Sequence, residues 1–148
     1  MSNLDDLYRE IILDHYRTPR NRGELAPPAV KAEGFNPLCG DEITVYLDVT
    51  DGVISDIKLT GHGCSISQAS SSLMSAAVKG KALEDVRRTI ESVKAMLTEG
   101  AEVATDTASL RSLGELAALS GVSKFPVRIK CATLAWNTLV QALDELPA

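Results

Sequence analysis

The chain has 148 residues, the length of one ordinary domain, and 45% of them are hydrophobic, which excludes a chain too polar to form a core. It carries 15 Lys and Arg against 20 Asp and Glu, for a formal net charge of −5, and only 4% of its residues are aromatic. We therefore expect no binding to nucleic acid, which needs a basic surface and often stacking rings. No stretch resembles the ~20 apolar residues of a membrane span, and the acidic start is unlike a signal peptide, so we expect a cytoplasmic protein without membrane contact.

The first segment predicts a helix, because Leu4, Leu7 and Ile11 recur at helical spacing. This helix should end before Pro19, where a polar loop follows. Residues 26–36 contain prolines and a glycine, so we expect irregular structure or a strand at the edge of a sheet.

From Glu42 onward the apolar residues recur with a period of two. Residues 43–49 and 53–59 both alternate, and Thr50-Asp51-Gly52 lies between them. Two alternating runs joined by Asp-Gly predict a β-hairpin. If the alternation in the second strand is strict, one face of that strand carries Val53, Ser55, Ile57 and Leu59. The opposite face then carries Ile54, Asp56 and Lys58.

Two helices are predicted after the hairpin. The first is rich in Ser and Ala, begins at the N-cap Ser65 and ends at Lys79 before Gly80. The second carries apolar residues on one face between Leu83 and Leu97. The run of serines in the first of these helices indicates close packing or the lining of a site, since no catalytic triad accompanies it.

The last third of the chain is also helical in pattern. Residues 100–109 predict a loop, residues 110–120 a short helix, and Pro126 the entry to the final helix. The order of helix, strands and then helices predicts one α+β domain over residues 1–148, with helices packed on one face of a small antiparallel sheet.

Three cysteines stand at the boundaries between these elements: Cys39 before the hairpin, Cys64 after it, and Cys131 near the start of the last helix. An odd number of thiols in a reducing compartment argues against a disulfide framework. An isolated cysteine is most often a buried structural residue. Glycines adjoin Cys39 and Cys64, however, which is typical of loops where a thiol stays accessible and backbone can approach an ion.

A thiolate is favoured at a helix N-terminus, and the pattern gives this position to Cys64 and Cys131. Arg128 lies three residues before Cys131, on the same helix face, where it could lower the pKa of the thiol. An ordinary surface salt bridge is the alternative role for Arg128.

Asp41 offers a fourth donor. It is two residues from Cys39, so in an extended segment the two side chains point to the same side. Three thiolates and one carboxylate suit tetrahedral zinc, and a cation such as Arg128 would offset their net negative charge. Asp41 could equally cap a turn.

The two histidines are interpreted as structural or solvent-exposed. His62 is two residues before Cys64 and could reach a metal, but a lone surface histidine is the simpler interpretation. His15 lies among apolar residues of the first helix, and we expect it to contribute to packing.

Three segments together resemble the U-type iron–sulfur assembly proteins, of the IscU/NifU-like superfamily, across nearly the whole chain: residues 36–41 (NPLCGD), 61–67 (GHGCSIS) and 128–134 (RIKCATL). Within this superfamily the chain is similar to the SufU branch. Lys130 stands where the IscU branch has a histidine, residues 125–128 replace the chaperone-recruiting segment of that branch, and residues 100–121 resemble the SufU insertion. His62 departs from the family pattern, where acidic residues are common.

The resemblance implies a SufE/IscU-like fold and a zinc site formed by Cys39, Asp41, Cys64 and Cys131. It implies a zinc-dependent sulfurtransferase that accepts persulfide sulfur from a SufS-type cysteine desulfurase at Cys39 and passes it to a SufB-type scaffold. The family arginine matched by Arg128 is expected to tune the thiolates or contact the partner.

Two alternatives remain open at this point. The same ligands could hold iron or assemble a transient [2Fe–2S] cluster, which would make the protein a scaffold. Lys130 and the missing chaperone segment count against that function. The second alternative is a structural zinc domain that acts as an adaptor and carries no sulfur.

Overall fold

The computed structural model describes residues 3–99 and 113–146, which form one three-stranded sheet, four α-helices and a 3-10 helix. The strands are β1 (Val30–Asn36), β2 (Asp41–Thr50) and β3 (Val53–His62). The α-helices, in chain order, are α1 (Asn3–Arg17), α2 (Ser65–Val78), α3 (Leu83–Glu99) and α4 (Pro126–Asp144). The 3-10 helix, Gly114–Lys124, precedes α4.

The sheet is antiparallel throughout, with strand order β1-β2-β3. The predicted hairpin is confirmed, and the stretch expected to be irregular or at an edge contains the edge strand β1. The strict alternation predicted for β3 is wrong, because Ser55 is an extra residue between the pairs Asp48–Asp56 and Val49–Ile54. This β-bulge shifts the phase of the strand, so that Ile54 and Ile57 are both fully buried.

The helices cover one face of the sheet, which confirms the predicted α+β architecture. Alternate residues of β2 are buried, and α4 packs on β1 and β2 while α2 packs on β3. Close approach of α4 to β1 depends on Gly34, since a Cβ there would lie 2.1 Å from Thr138 Oγ1. Trp136 is fully buried, and its indole Nε1 donates to Ser70 Oγ at 3.0 Å.

Most helix predictions are confirmed within one or two residues, including the end of α1 before Pro19 and the start of α4 at Pro126. The N-cap of α2 is Cys64 rather than Ser65. The short helix predicted before α4 is a 3-10 helix that continues through Gly121, and the part of that prediction at residues 110–112 lies outside the described residues, as does the predicted loop at 100–109. The close packing predicted for the serine-rich helix is confirmed, because five of its serines are buried: Ser67, Ser70, Ser71, Ser72 and Ser75.

In the part of the chain that the structure describes, no helix is both long enough and apolar enough to cross a membrane.

Candidate metal centre

A turn, a strand and a helix bring two thiols and a carboxyl group together at one end of the sheet. Cys39 lies in the turn between β1 and β2, Asp41 is the first residue of β2, and Cys131 lies on the second turn of α4. The ligand atoms of these three residues all lie within 4.8 Å of one another, and the two sulfur atoms are 3.2 Å apart. We call these three residues the cysteine centre.

A tight turn, rather than an extended segment, places Cys39 beside Asp41. The residues that flank the turn, Asn36 and Asp41, pair across the β1–β2 ladder, and Gly40 N–H donates to the carbonyl oxygen of Asn36 at 2.8 Å. The proximity predicted from the two-residue spacing is correct, but its structural reason is the hairpin.

Asp41 is fully buried, and hydrogen bonds engage both oxygens of its carboxylate. Cys64 N–H donates to Oδ1 at 2.8 Å, and Asn36 Nδ2 donates to Oδ2 at 3.2 Å. Burial opposes ionisation of Asp41, yet its hydrogen bonds, of which the one from the Cys64 N–H has the largest effect, outweigh that burial and lower the pKa of the carboxyl. Asp41 is therefore a carboxylate at neutral pH.

Backbone and helix α2 approach this carboxylate so closely that residue 63 must be glycine. A Cβ on Gly63 would lie 2.4 Å from Asp41 Oδ1 and 2.6 Å from Ser67 Oγ, well inside contact distance. Gly63 therefore allows the backbone to approach Asp41 closely.

Cys64 lies beside the cysteine centre but is not one of its three members. It caps α2, and its Sγ accepts a hydrogen bond from Ser67 N at 3.5 Å, which confirms its predicted position at a helix N-terminus. Its backbone N–H donates to Asp41, and Cys64 also contributes to the raised pKa of Cys131, after the larger effects of burial, Cys39 and Asp41. Of the four predicted donors, the structure thus brings three together and places the fourth next to them.

Arg128 does not lower the pKa of Cys131, as its position in the sequence suggested it could. Burial raises the pKa of this thiol, and hydrogen bonds with Cys39 and Asp41 raise it further. Cys131 lies on the second turn of α4, away from the free N–H groups of the first turn, so the helix terminus does not compensate for its burial.

Arg128 is exposed and lies on the first turn of α4, one turn before Cys131. A hydrogen bond with Cys131 raises the pKa of its guanidinium, and the charge of Cys64 acts in the same direction. Arg128 therefore places a positive charge near Cys131 and Cys64.

The donor set of this site fits a metal ion. Acidic groups packed this closely need protons or a cation to remain together. Three thiols and one carboxylate are typical zinc donors, and Arg128 supplies positive charge nearby. The group formed by Cys39, Asp41 and Cys131 could hold a metal ion.

Neither histidine belongs to the cysteine centre. His62 is exposed and pairs with Glu42, with Nε2 and Oε2 3.4 Å apart, as expected of a surface histidine. His15 is buried, as expected from its apolar surroundings, but it also makes two polar contacts: Nδ1 is 2.7 Å from Ser72 Oγ, and Nε2 is 3.1 Å from Glu115 Oε1.

Asn36 is a residue of the site to which the sequence pattern gave no role. This residue is buried, and its amide touches both Asp41 and Cys131. Its place at the start of the NPLCGD segment, before a Pro and a turn, was a signal for a side chain that organises the turn.

Comparisons with known proteins agree with this architecture. The family model of the NifU-like N terminal domain matches residues 7–132. The zinc-dependent sulfurtransferase SufU of Bacillus subtilis is 44% identical over 144 residues, which are 97% of this chain and 94% of the relative. The iron–sulfur cluster assembly scaffold protein IscU of Thermotoga maritima is 41% identical over 140 residues, which are 95% of this chain and 94% of the relative.

Solved structures show the same likeness. A putative iron–sulfur cluster assembly scaffold protein for the SUF system from Fervidobacterium islandicum has a TM-score of 0.80 and 32% identity, and the match covers 90% of this chain and 94% of that one. A NifU-like N-terminal protein from Brucella abortus has a TM-score of 0.79 and 26% identity, over 97% of this chain and 96% of that one. The resemblance found in the three sequence segments is therefore confirmed, and the chain belongs to the family of NifU-like N-terminal domains.

Proposed function

We propose that this protein is a zinc-dependent sulfurtransferase of iron–sulfur cluster assembly, which accepts sulfur at Cys39 from a cysteine desulfurase of the SufS type and delivers it to a SufB-type scaffold. The observation that carries the proposal is the unequal burial within the cysteine centre. Asp41 and Cys131 are fully buried, whereas Cys39 is partly exposed on a turn between exposed neighbours. Two members of the centre can thus hold the site together while the third reaches a partner.

We further propose that Cys39, Asp41, Cys64 and Cys131 are the ligands of one zinc ion. When bound, zinc keeps thiols deprotonated at neutral pH and holds them in a defined geometry. The carboxylate of Asp41 is already ionised and fixed by hydrogen bonds, and Arg128 supplies a cation beside the thiols.

The proposed transfer is a thiol–persulfide exchange. The Cys39 thiolate attacks the outer sulfur of a persulfide on the desulfurase, and a new bond forms between Cys39 Sγ and that sulfur. The sulfur–sulfur bond in the donor breaks, and its electron pair leaves on the desulfurase cysteine as a thiolate. Arg128, exposed beside the thiols, can stabilise negative charge during the exchange.

Exposed apolar residues adjoin the site in sequence and support a role that requires docking. They flank the turn that carries Cys39 and the start of α4, and they are Phe35, Leu38, Phe125 and Val127. Apolar side chains exposed beside a reactive group are typical of a surface that a protein partner covers.

Mass spectrometry after incubation with a cysteine desulfurase and cysteine tests the proposal. We expect one added sulfur atom on the peptide that contains Cys39, and its loss in Cys39→Ala together with loss of desulfurase stimulation. Circular dichroism of the variant controls for folding. Absence of persulfide from every cysteine of the unaltered protein would contradict sulfur transfer and leave the adaptor function.

The scaffold function is the second candidate, because the relative from Thermotoga maritima is named a scaffold and covers nearly the whole chain. Anaerobic incubation with iron and sulfide distinguishes the two. A stable [2Fe–2S] cluster that transfers to an apo-acceptor would favour the scaffold, whereas a cluster that neither accumulates nor transfers would favour the sulfurtransferase.

A further inference from the structure

Asn36 does more than close the turn before Asp41, because its side chain also contacts two members of the cysteine centre. It is the last residue of β1, it pairs with Asp41 across the ladder, and its side chain is buried. Its carbonyl oxygen accepts a hydrogen bond from Gly40 N–H, which closes the turn that carries Cys39. Asn36 therefore contacts two members of the centre, Asp41 and Cys131, and closes the turn that carries the third.

The orientation of the Asn36 amide follows from its surroundings. Backbone N–H of Leu38 lies 3.3 Å from Oδ1, and because an N–H group only donates, the amide oxygen must face it. The NH₂ group then faces the centre. Nδ2 lies 3.2 Å from Asp41 Oδ2 and 3.7 Å from Cys131 Sγ, so its two hydrogens meet two acceptors.

We infer that Asn36 is a positioning residue of the metal site, which uses its two amide hydrogens to hold Asp41 and Cys131 in ligating positions. The inference rests on the zinc site proposed above. Groups that orient metal ligands through hydrogen bonds fix the ligand geometry and tune its electron density, and their loss typically weakens metal binding ~10–100-fold.

The chemistry of the site requires an amide at this position. An aspartate has the same shape and can still accept from Leu38 N–H, but it has no hydrogen for Asp41 or Cys131 and would place a second carboxylate beside Asp41. An alanine removes the hydrogen bonds without adding charge. The two variants together separate the loss of donors from the gain of a charge.

The test compares Asn36→Asp and Asn36→Ala with the unaltered protein and with Asn21→Asp. Asn21 is a matched control, because its Nδ2 also donates to a buried side chain, Ser75 Oγ at 2.9 Å, and Ser75 lies in the last turn of α2, at the opposite end of that helix from Cys64. Zinc affinity is measured by competition with a chromogenic chelator, and the melting temperature of the metal-free protein reports on folding.

We expect zinc binding ~10–100-fold weaker in both Asn36 variants and unchanged in Asn21→Asp. In the cobalt-substituted protein we also expect the thiolate-to-cobalt charge-transfer band to shift in both Asn36 variants, because a hydrogen bond to Cys131 Sγ is lost. A role confined to folding would lower the melting temperature without moving this band.

Zinc affinity equal to that of the unaltered protein, or an unshifted cobalt band, would overturn the role of Asn36 while leaving the proposed function intact. Failure of the unaltered protein and of Asn21→Asp to bind zinc would overturn both.

Discussion

Two polar clusters join distant parts of this chain, and they are built on opposite principles. In the first, which we call the His15 junction, His15 connects α1 to Ser72 of α2 and to Glu115 of the 3-10 helix. Ser72 Oγ also accepts from Arg20 N–H at 2.9 Å. The groups of this cluster complement one another, so the His15 junction is complete within the protein.

The cysteine centre gathers groups of one kind. Its members are two thiols and a carboxylate, with a third thiol alongside, and the thiol of Cys131 is harder to ionise in this environment. Complementary polar groups stabilise a fold on their own, whereas like acidic groups need an external cation. The comparison indicates that the His15 junction serves stability and the cysteine centre serves function.

The largest effect is expected where the backbone touches the cysteine centre. Gly63→Ala would force a Cβ against Asp41 and Ser67, at a cost of about 1–3 kcal/mol in the free energy of unfolding, and would displace the carboxylate. We expect most of the bound metal to be lost, as measured by atomic emission on the purified protein.

Gly121→Ala is the control for this substitution, because a Cβ there meets no atom within 4 Å. We expect a change within about 0.5 kcal/mol and full metal content. Full metal content and unchanged stability in Gly63→Ala would show that the close approach of residue 63 to Asp41 contributes neither to metal binding nor to the stability of the fold.

At the His15 junction we expect a similar loss of stability but no loss of metal, and hence a smaller effect in total. His15→Ala removes a buried ring and its contact with Ser72, which should lower the free energy of unfolding by about 1–3 kcal/mol in chemical denaturation. Metal content should not change, because the junction contributes no donor to the centre. A variant of normal stability that has lost its metal would reverse the assignment of the two clusters.

The smallest effect is expected at the surface of the same junction and depends on pH. A hydrogen bond from Arg20 lowers the pKa of Asp14 below its ordinary value of 3.8. This pair therefore stabilises the fold above about pH 4, and its contribution disappears as the pH falls through the lowered pKa. Denaturation of Asp14→Asn and of the unaltered protein should differ slightly at neutral pH and converge in acid; a difference that grows in acid would contradict the ion pair.

The sequence predicted the hairpin and the helices well, because the periodicity of apolar residues reports directly on which side of an element is buried. The prediction that Ile54 and Ile57 lie on opposite faces of β3 is wrong, since strict alternation contains no information about the extra residue Ser55 that shifts the phase of the strand. The close approach of α4 to Gly34 was equally invisible, because it depends on contacts between residues far apart in the chain.

The sequence predicted which residues come together better than it predicted their ionisation. Cys39, Asp41 and Cys131 do come together, and the loop and helix positions of the cysteines were the signal. The spacing suggested that Arg128 could lower the pKa of Cys131, whereas burial raises it. Burial and the contacts of Asn36 arise from tertiary packing, which local spacing does not encode.

Metal content of the purified protein, compared with that of Asp41→Ala, tests the central claim most directly. Asp48→Ala is the matched control, because Asp48 lies on the same strand but is exposed. The account predicts about one zinc ion per chain in the unaltered protein and in Asp48→Ala, and its loss from Asp41→Ala. Absence of zinc, or iron and sulfide in its place, would contradict the zinc-dependent sulfurtransferase and favour the scaffold.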